Sequence, residues 1–292
     1  MSTAYRGRFA PSPTGPLHLG SLIAALASYL DAKYNNGVWL VRMDDLDPPR
    51  EVPGSAKSIL DSLEAHGLHW DEEVLWQSRQ STAYEQALSL LAAQRNTFAC
   101  DCSRATLTAL GCCQNHCEQE QSRVTKPSAT RIAVSTASQL SFDDALQGHQ
   151  HCDVLEQQLS DFVIKRKDKL YAYQLAVVVD DAQQKISHIV RGSDLLDSTP
   201  RQIHLQQALA VPTPIYAHLP VITNARGQKF SKQNQAPALN DTKASQSLRR
   251  ALAFLGQKAP PTNLDNPKSI LESALQTWSL EQVPGRLAIV AI

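Results

Sequence analysis

Two short runs carry residue types suited to handling a nucleoside triphosphate. One is Pro13-Thr14-Gly15-Pro16-Leu17-His18-Leu19-Gly20-Ser21; the other is Gly227-Gln228-Lys229-Phe230-Ser231-Lys232-Gln233. The first lies between a strand-like and a helix-like segment, so its backbone N–H groups stand at a helix N-terminus, where phosphate is favoured. Gly20 has no side chain to keep a ring off the backbone, and His18 can donate to a phosphate oxygen without a permanent charge. Taken alone, the run reads equally as a strand-to-helix turn with His18 as capping group. Lys229 and Lys232 place two ammonium groups on a polar loop that can close over a triphosphate and stabilise developing charge. Alone, that run is also an ordinary exposed lysine-rich loop. In this order, the second following the last core strand, the pair describes a site that binds ATP and attacks its α-phosphate.

Five of the six cysteines, Cys100, Cys102, Cys112, Cys113 and Cys117, fall between residues 100 and 117, with Cys152 apart. In a reducing compartment such a cluster points to metal before disulfides. Cys100, Cys102, Cys113 and Cys117 supply four thiolates for a tetrahedral structural Zn²⁺, which would stabilise a segment with little core of its own. Cys112 and His116 compete for the third position.

The 292-residue length allows one large domain with insertions or two modest ones, and 42% hydrophobic residues supply a core. No apolar run approaches the roughly 18–20 residues that span a bilayer, and no signal-peptide core follows Met1, so the expectation is a cytoplasmic protein. The 28 basic and 28 acidic residues cancel. That balance gives no general support for nucleic-acid binding and favours a small-molecule enzyme.

The elements that must position these residues follow from periodicity. Arg8–Ser12 reads as a short strand stopped by proline. Leu19 to Tyr34 reads as a helix on the spacing of Leu19, Leu22, Ile23, Leu26 and Leu30, and Val38 to Met43 as a strand ending in the acidic run Asp44-Asp45-Leu46-Asp47. This order predicts a βαβ unit and a parallel sheet. A helix is expected from Ser55 to His66, stopped by Gly67, and another from a Thr82-x-x-Glu85 capping box, carrying Leu88, Leu90 and Leu91. From Phe98 to Lys169 the alternation stops, which reads as an insertion. Leu170–Val179 and Lys185–Arg191 read as strands, Pro200–Ala210 as a helix, and Pro220-Val221-Ile222 as the last core strand. Beyond Gln233 the chain reads as helical, with Leu248, Leu252 and Leu255 on one face, and Asn266-Pro267 opening a last helix that carries Ile270, Leu271, Leu275 and Trp278.

The two runs resemble the HIGH and KMSKS motifs of class I aminoacyl-tRNA synthetases. Arg8-Phe9-Ala10-Pro11-Ser12-Pro13-Thr14-Gly15 with His18-Leu19-Gly20 is similar to the glutamyl-tRNA synthetase branch. The resemblance continues through Arg42-Met43-Asp44-Asp45-Leu46-Asp47, Ser141-Phe142-Asp143-Asp144, Asp161–Arg166 and Arg191-Gly192-Ser193-Asp194-Leu195, covering nearly everything up to Gln233. Ser21 replaces the second histidine of the first motif, Gln233 the final serine of the second, and Asp44 a common glutamate.

The resemblance implies an α/β fold: a Rossmann-like catalytic domain with a parallel sheet (1–97 and 170–225), a zinc-containing insertion (98–169), and a catalytic loop with a short helical domain (226–292). It implies that His18, Gly20, Lys229 and Lys232 serve catalysis, and that Pro11, His18, Gly20, Ser21 and Lys232 bind ATP with Mg²⁺. Arg8, Ala10, Ser12, Asp44, Tyr173 and Arg191 would bind L-glutamate, Arg8 and Arg191 reading carboxylates and Asp44 the ammonium. The short stretch 234–292, the Cys-x-Cys insert and the Lys-Phe-Ser-Lys-Gln ending resemble truncated paralogues of this branch, which activate glutamate without tRNA and pass it to queuosine in tRNA(Asp). In those paralogues the third zinc position is often tyrosine, so Cys113 is a departure. A monomer is expected. The alternatives are a shortened synthetase charging a tRNA 3′ end and a non-catalytic glutamate- or adenylate-binding regulator.

Overall fold

The computed structural model describes residues 4–107, 116–124, 126–134, 139–153, 160–224 and 237–290. In chain order the elements are β1 (Arg6–Phe9), α1 (Leu19–Tyr34), β2 (Val38–Met43), α2 (Ser55–Ala65), β3 (Leu75–Trp76), α3 (Ser81–Ala93), β4 (Thr97–Cys100) and α4 (His116–Gln119). There follow β5 (Ala129–Ile132), β6 (Gln139–Asp144), β7 (Gly148–Asp153), β8 (Phe162–Lys165), α5 (Tyr173–Gln183), β9 (His188–Gly192) and α6 (Thr199–Ala208). The last are β10 (Ile215–Leu219), β11 (Val221–Thr223), α7 (Ala244–Phe254), α8 (Pro267–Thr277) and β12 (Ala288–Val290).

β1, β2 and β3 pair in parallel, with Arg8 opposite Leu40 and Arg42 opposite Leu75. β10 pairs in parallel with both β9 and β6, and β6 forms an antiparallel hairpin with β7. The two sheets adjoin where β1 meets β9: the Ser187 N–H donates to Arg6 O at 3.0 Å, and the Tyr5 and His188 rings stack at 3.9 Å. Successive strand residues point to opposite faces, and the core divides accordingly. Trp39, Val41 and Met43 join Leu22, Leu26 and Leu30 of α1, with α2, α7 and α8, in one layer. Leu40, Ile189 and Tyr216 face α3, α5 and α6 in the other. β4, β5 and β8 form a separate antiparallel sheet beside the cysteines. No helix among the described residues is long and apolar enough to cross a membrane.

Most elements lie where periodicity put them, α1 and β2 residue for residue. Gly67, at φ 74°, ends the turn after α2, and Asn266 caps α8 by accepting from the Ser269 N–H at 2.9 Å.

Three expectations fail. Leu170–Val179 is not a strand: Tyr173 onward is helix α5, whose Leu175, Ala176, Val177 and Val178 are all buried. A helix buried on several sides loses its polar stripe, and a run of β-branched residues then imitates a core strand. The last core strand is β10, because Pro220 has no N–H to continue the ladder and Val221–Thr223 pairs instead with Ala288–Val290. α3 begins at Ser81 with Gln80 as an N-cap that makes no side-chain bond, so the Thr82–Glu85 box does not form. Glu85 instead accepts from Lys165 and from the Tyr171 hydroxyl, while Leu90 of the same helix is exposed.

Candidate active site

β1 delivers the chain to the mouth of the parallel sheet, and residues 10–18 turn it into α1. His18 is the N-cap: its Nδ1 accepts from the Ser21 N–H at 3.2 Å. In the neutral imidazole this leaves the proton on Nε2, so the capping role and a donor role coexist in one tautomer. Beside it, a cleft of about 180 Å³ is lined by His18, Gly20, Ser21, Ile23 and Ala24 on one side, and by Gly192, Asp194 and Leu219–Ile222 on the other. It lies at the carboxyl ends of β9 and β10 and the start of α1, next to the β1–β9 junction where chain order across the sheet reverses, the usual ligand crevice of open α/β sheets. A Cβ on Gly20 would come within 3.1 Å of the His18 ring and 3.3 Å of Ile222. The cleft therefore depends on that glycine.

A second cleft of about 370 Å³ flanks His18–Gly20 and is bordered by Pro237–Asn240, Lys243 and Arg250. Ala238 bridges to His18, and the Leu239 N–H donates to Leu17 O at 2.8 Å. Ile222 borders both clefts and Pro237 the second, so described residues on either side of the 225–236 stretch lie at this site. Lys229 and Lys232 are within that stretch, outside the described residues.

A buried set of charges joins β1 and β2 to α5. Arg8 on β1 is 4% exposed and donates from Nε to Asp181 Oδ1 at 3.2 Å. Arg42 on β2, fully buried, donates to the same oxygen at 2.5 Å and to Asp44 Oδ1 at 2.9 Å. The Asp44 N–H reaches Pro11 O at 2.9 Å, which holds Asp44 against the Ala10–Pro11 turn. Burial works against ionising Asp181, but Arg8 and Arg42 outweigh it and hold its carboxyl below the usual range. Burial pushes the Asp44 carboxyl up, and Arg42 offsets only part of that. Asp180, which accepts from Gln77 Nε2 at 2.7 Å and from the Tyr84 hydroxyl at 2.9 Å, is raised by burial to about 7.

Arg191, on β9, is 4% exposed and forms a second centre. Its Nε is 3.0 Å from His218 Nε2, its Nη2 2.8 Å from Thr199 Oγ1, and its guanidinium lies over the Tyr216 ring. Nη1 is buried without a hydrogen-bond partner among the described residues. Arg8 acts electrostatically on both Tyr216 and His218, so the two arginine centres share one field.

Of the residues singled out by sequence, Arg8, Ala10, Pro11 and Asp44 are thus brought together at the end of β1. His18, Gly20 and Ser21 line the first cleft, and Arg191 directly precedes Gly192 of the cleft wall, opposite His218 in the β9–β10 ladder. Ser12 is exposed, and Tyr173 is 38% exposed at the start of α5, so it is neither core nor on a strand. Sequence reading gave no role to Arg42, Asp180, Asp181, Thr199 or His218. The signals present were an arginine inside the apolar strand Val38–Met43 and an acidic pair closing the apolar run of α5.

Cys100, Cys102 and Cys117 bring their sulfurs within 4.8 Å of one another, with Cys102 and Cys117 3.5 Å apart. Two thiolates on one tetrahedral zinc at about 2.3 Å stand about 3.8 Å apart, so the spacing fits a metal. Lys167 Nζ donates to the carbonyls of Asp101 and Cys102, fixing the Cys-x-Cys turn. Cys113 and Cys112 lie outside the described residues.

A family model described as "tRNA synthetases class I (E and Q), catalytic domain" matches residues 4–255. A glutamyl-Q tRNA(Asp) synthetase of Neisseria meningitidis serogroup C is 49% identical over 96% of this chain and 97% of its own length. One of Chromobacterium violaceum is 47% identical over 98% and 97%. Among solved structures, the glutamate-tRNA synthetase of Elizabethkingia anophelis superposes with a TM-score of 0.81 at 23% identity, covering 99% of this chain and 68% of that one. Likeness at that identity speaks for the fold; the near full-length relatives and the family model speak for kinship. The chain belongs to the class I tRNA synthetase family of the E and Q type, and within it to the glutamyl-Q tRNA(Asp) synthetases.

Proposed function

We propose that this chain is an ATP-dependent ligase that activates L-glutamate as glutamyl-adenylate without tRNA and passes the glutamyl group to queuosine in the anticodon of tRNA(Asp). Kinship supports the reaction class and the acceptor. The observation that carries the amino-acid reading is Arg191: a buried guanidinium with one terminal nitrogen unpartnered beside the cleft suits an anionic ligand. With Arg8 a second buried cation in the same field, a dicarboxylate fits better than a monocarboxylate.

In this reading the nucleotide occupies the cleft at the start of α1, with its phosphates toward the helix N-terminus and His18 Nε2–H. Gly20, Ser21 and Pro11 leave room for it. Arg8 and Arg191 hold the carboxylates, Asp44 takes the ammonium, and Ala10, Ser12 and Tyr173 line the pocket. The glutamate α-carboxylate oxygen attacks the α-phosphorus, and the bond from that phosphorus to the bridging oxygen breaks as pyrophosphate leaves. A hydroxyl of the queuosine cyclopentenediol then attacks the activated carbonyl, an ester forms, AMP departs and the hydroxyl proton is released. Lys229 and Lys232 are assigned to stabilising the phosphates. The chain's contribution is positioning and preorganised charge. Mg²⁺ entering with ATP would share the phosphate charge. Zn²⁺ held by Cys100, Cys102 and Cys117, with Cys113 as fourth ligand, would organise the insertion and take no part in the reaction. We place the protein in the cytoplasm.

Glutamate-dependent pyrophosphate exchange into ATP, without RNA, tests the first half. Exchange with glutamate and not with glutamine or aspartate is expected; no exchange by folded protein would favour a non-catalytic binder.

A further inference from the structure

Asp144, His218 and Arg191 form a row across three neighbouring strands. In the parallel ladder of β9 and β10, His218 stands opposite Arg191, and β10 in turn pairs with β6, which ends at Asp144. All three side chains are shut off from solvent. The Asp144 carboxylate is saturated: Oδ1 accepts from the backbone N–H groups of Leu146, Gln147 and His218 at 2.9–3.1 Å, and Oδ2 lies 2.5 Å from His218 Nδ1. An ionised carboxylate only accepts, so Nδ1 carries the imidazole proton and Nε2 presents a lone pair. That lone pair meets the Arg191 Nε–H at 3.0 Å. Burial pushes the imidazole pKa down, more than Asp144 raises it, which keeps the ring neutral and Nε2 an acceptor near pH 7.

A guanidinium presents Nε–H and one Nη2–H along a side edge. Here both are taken by the protein, by His218 and by Thr199 Oγ1. Only Nη1 remains, buried and unpartnered among the described residues. The protein thereby uses the usual bidentate edge to aim the group and leaves its end to a ligand.

We propose that His218, oriented by Asp144 and assisted by Thr199, is a positioning residue that aims Nη1 of Arg191 at the carboxylate of the amino-acid substrate. This rests on the reading of the site as a glutamate pocket. It gives the aspartate at the end of the Ser141-Phe142-Asp143-Asp144 run a role in the site through His218.

The test is a pair of substitutions read by exchange kinetics and by glutamate binding in calorimetry. His218→Asn can keep the donor toward Asp144 but has no acceptor at the Nε2 position; His218→Gln can keep an acceptor there. His218→Asn is expected to raise the KM for glutamate roughly 10- to 100-fold, the scale of a lost charge-assisted hydrogen bond, with the KM for ATP unchanged. His218→Gln should recover most of that loss, and in an Arg191→Ala background His218→Asn should add little further effect. Thr199→Val, which removes the other side-edge partner and nearly preserves volume, should show the same selectivity with a smaller factor and covers the case in which His218→Asn fails to fold. Equal loss in both His218 variants, or additive loss with Arg191→Ala, would overturn the positioning role while leaving the glutamate pocket intact. Wild-type protein that does not bind or exchange glutamate would overturn the pocket reading itself, and the positioning role with it.

Discussion

Asp181 and Arg8, 173 positions apart in sequence, face each other at 3.2 Å between Oδ1 and Nε, both only 4% exposed. The same oxygen also takes Arg42 Nη1 at 2.5 Å. One carboxylate at the inner end of α5 therefore joins two strands of the sheet to a helix on its far layer. It also fixes the buried Arg8 side chain.

Asp181→Asn leaves two buried guanidinium groups without their shared anion. Breaking a buried pair in this way costs about 3–5 kcal/mol, and urea unfolding should show a loss on that scale together with weaker glutamate binding. A change within about 0.5 kcal/mol, the range of ordinary surface substitutions, would mean that the network contributes little.

Asp180 has the opposite character. Its folded pKa of about 7 stands above the usual 3.8, so the folded chain keeps a proton that the unfolded chain has released. The associated stability is complete below about pH 3.8 and is lost as pH rises through about 7. Asp180→Asn removes that slope. Relative to wild type, the variant should gain stability between pH 5 and pH 8.5, roughly the interval bracketing this titration; parallel unfolding curves at the two pH values would contradict it.

Gly20→Ala puts a Cβ 3.1 Å from the His18 ring and 3.3 Å from Ile222. The wall of the cleft proposed to take the nucleotide must then shift by a few tenths of an ångström. We expect the KM for ATP to rise by roughly tenfold, with glutamate affinity measured in the absence of ATP unchanged. An unaltered KM for ATP would place the nucleotide elsewhere.

For the cysteine cluster, wild-type protein should carry about one zinc per chain, and Cys117→Ser should lose it. The insertion should then become protease-sensitive, while glutamate-dependent exchange stays within about threefold of wild type, as a structural metal requires. Retained metal in Cys117→Ser would move the site away from these sulfurs.

How much was legible in sequence differs by element for physical reasons. α1 was readable because Leu19, Leu22, Ile23, Leu26 and Leu30 keep helical spacing between a turn and Gly37, and β2 because it is short, β-rich and bounded by Gly37 and an acidic run. α5 was not, because burial removed the polar face from Leu175–Val178. The cleft at the start of α1 was readable from His18 and Gly20, which stand at that helix's N-terminus. Beyond that turn, the charged site depends on pairs 74 to 173 positions apart, such as His218–Asp144, Arg42–Asp181 and Arg8–Asp181. Strand register brings His218 to Asp144, and the packing of α5 on the sheet brings Asp181 to Arg8 and Arg42. Asp143-Asp144 stood in a resembling run without a visible purpose until β6 was seen next to β10.

The central claim is that the activated glutamate goes to a modified base. The most direct measurement is incubation of the protein with labelled glutamate, ATP and tRNA(Asp) carrying or lacking queuosine, followed by digestion to nucleosides. We predict label on the queuosine nucleoside, dependent on its presence. Label on the ribose of the 3′-terminal adenosine, or equal labelling of tRNA lacking queuosine, would contradict the account.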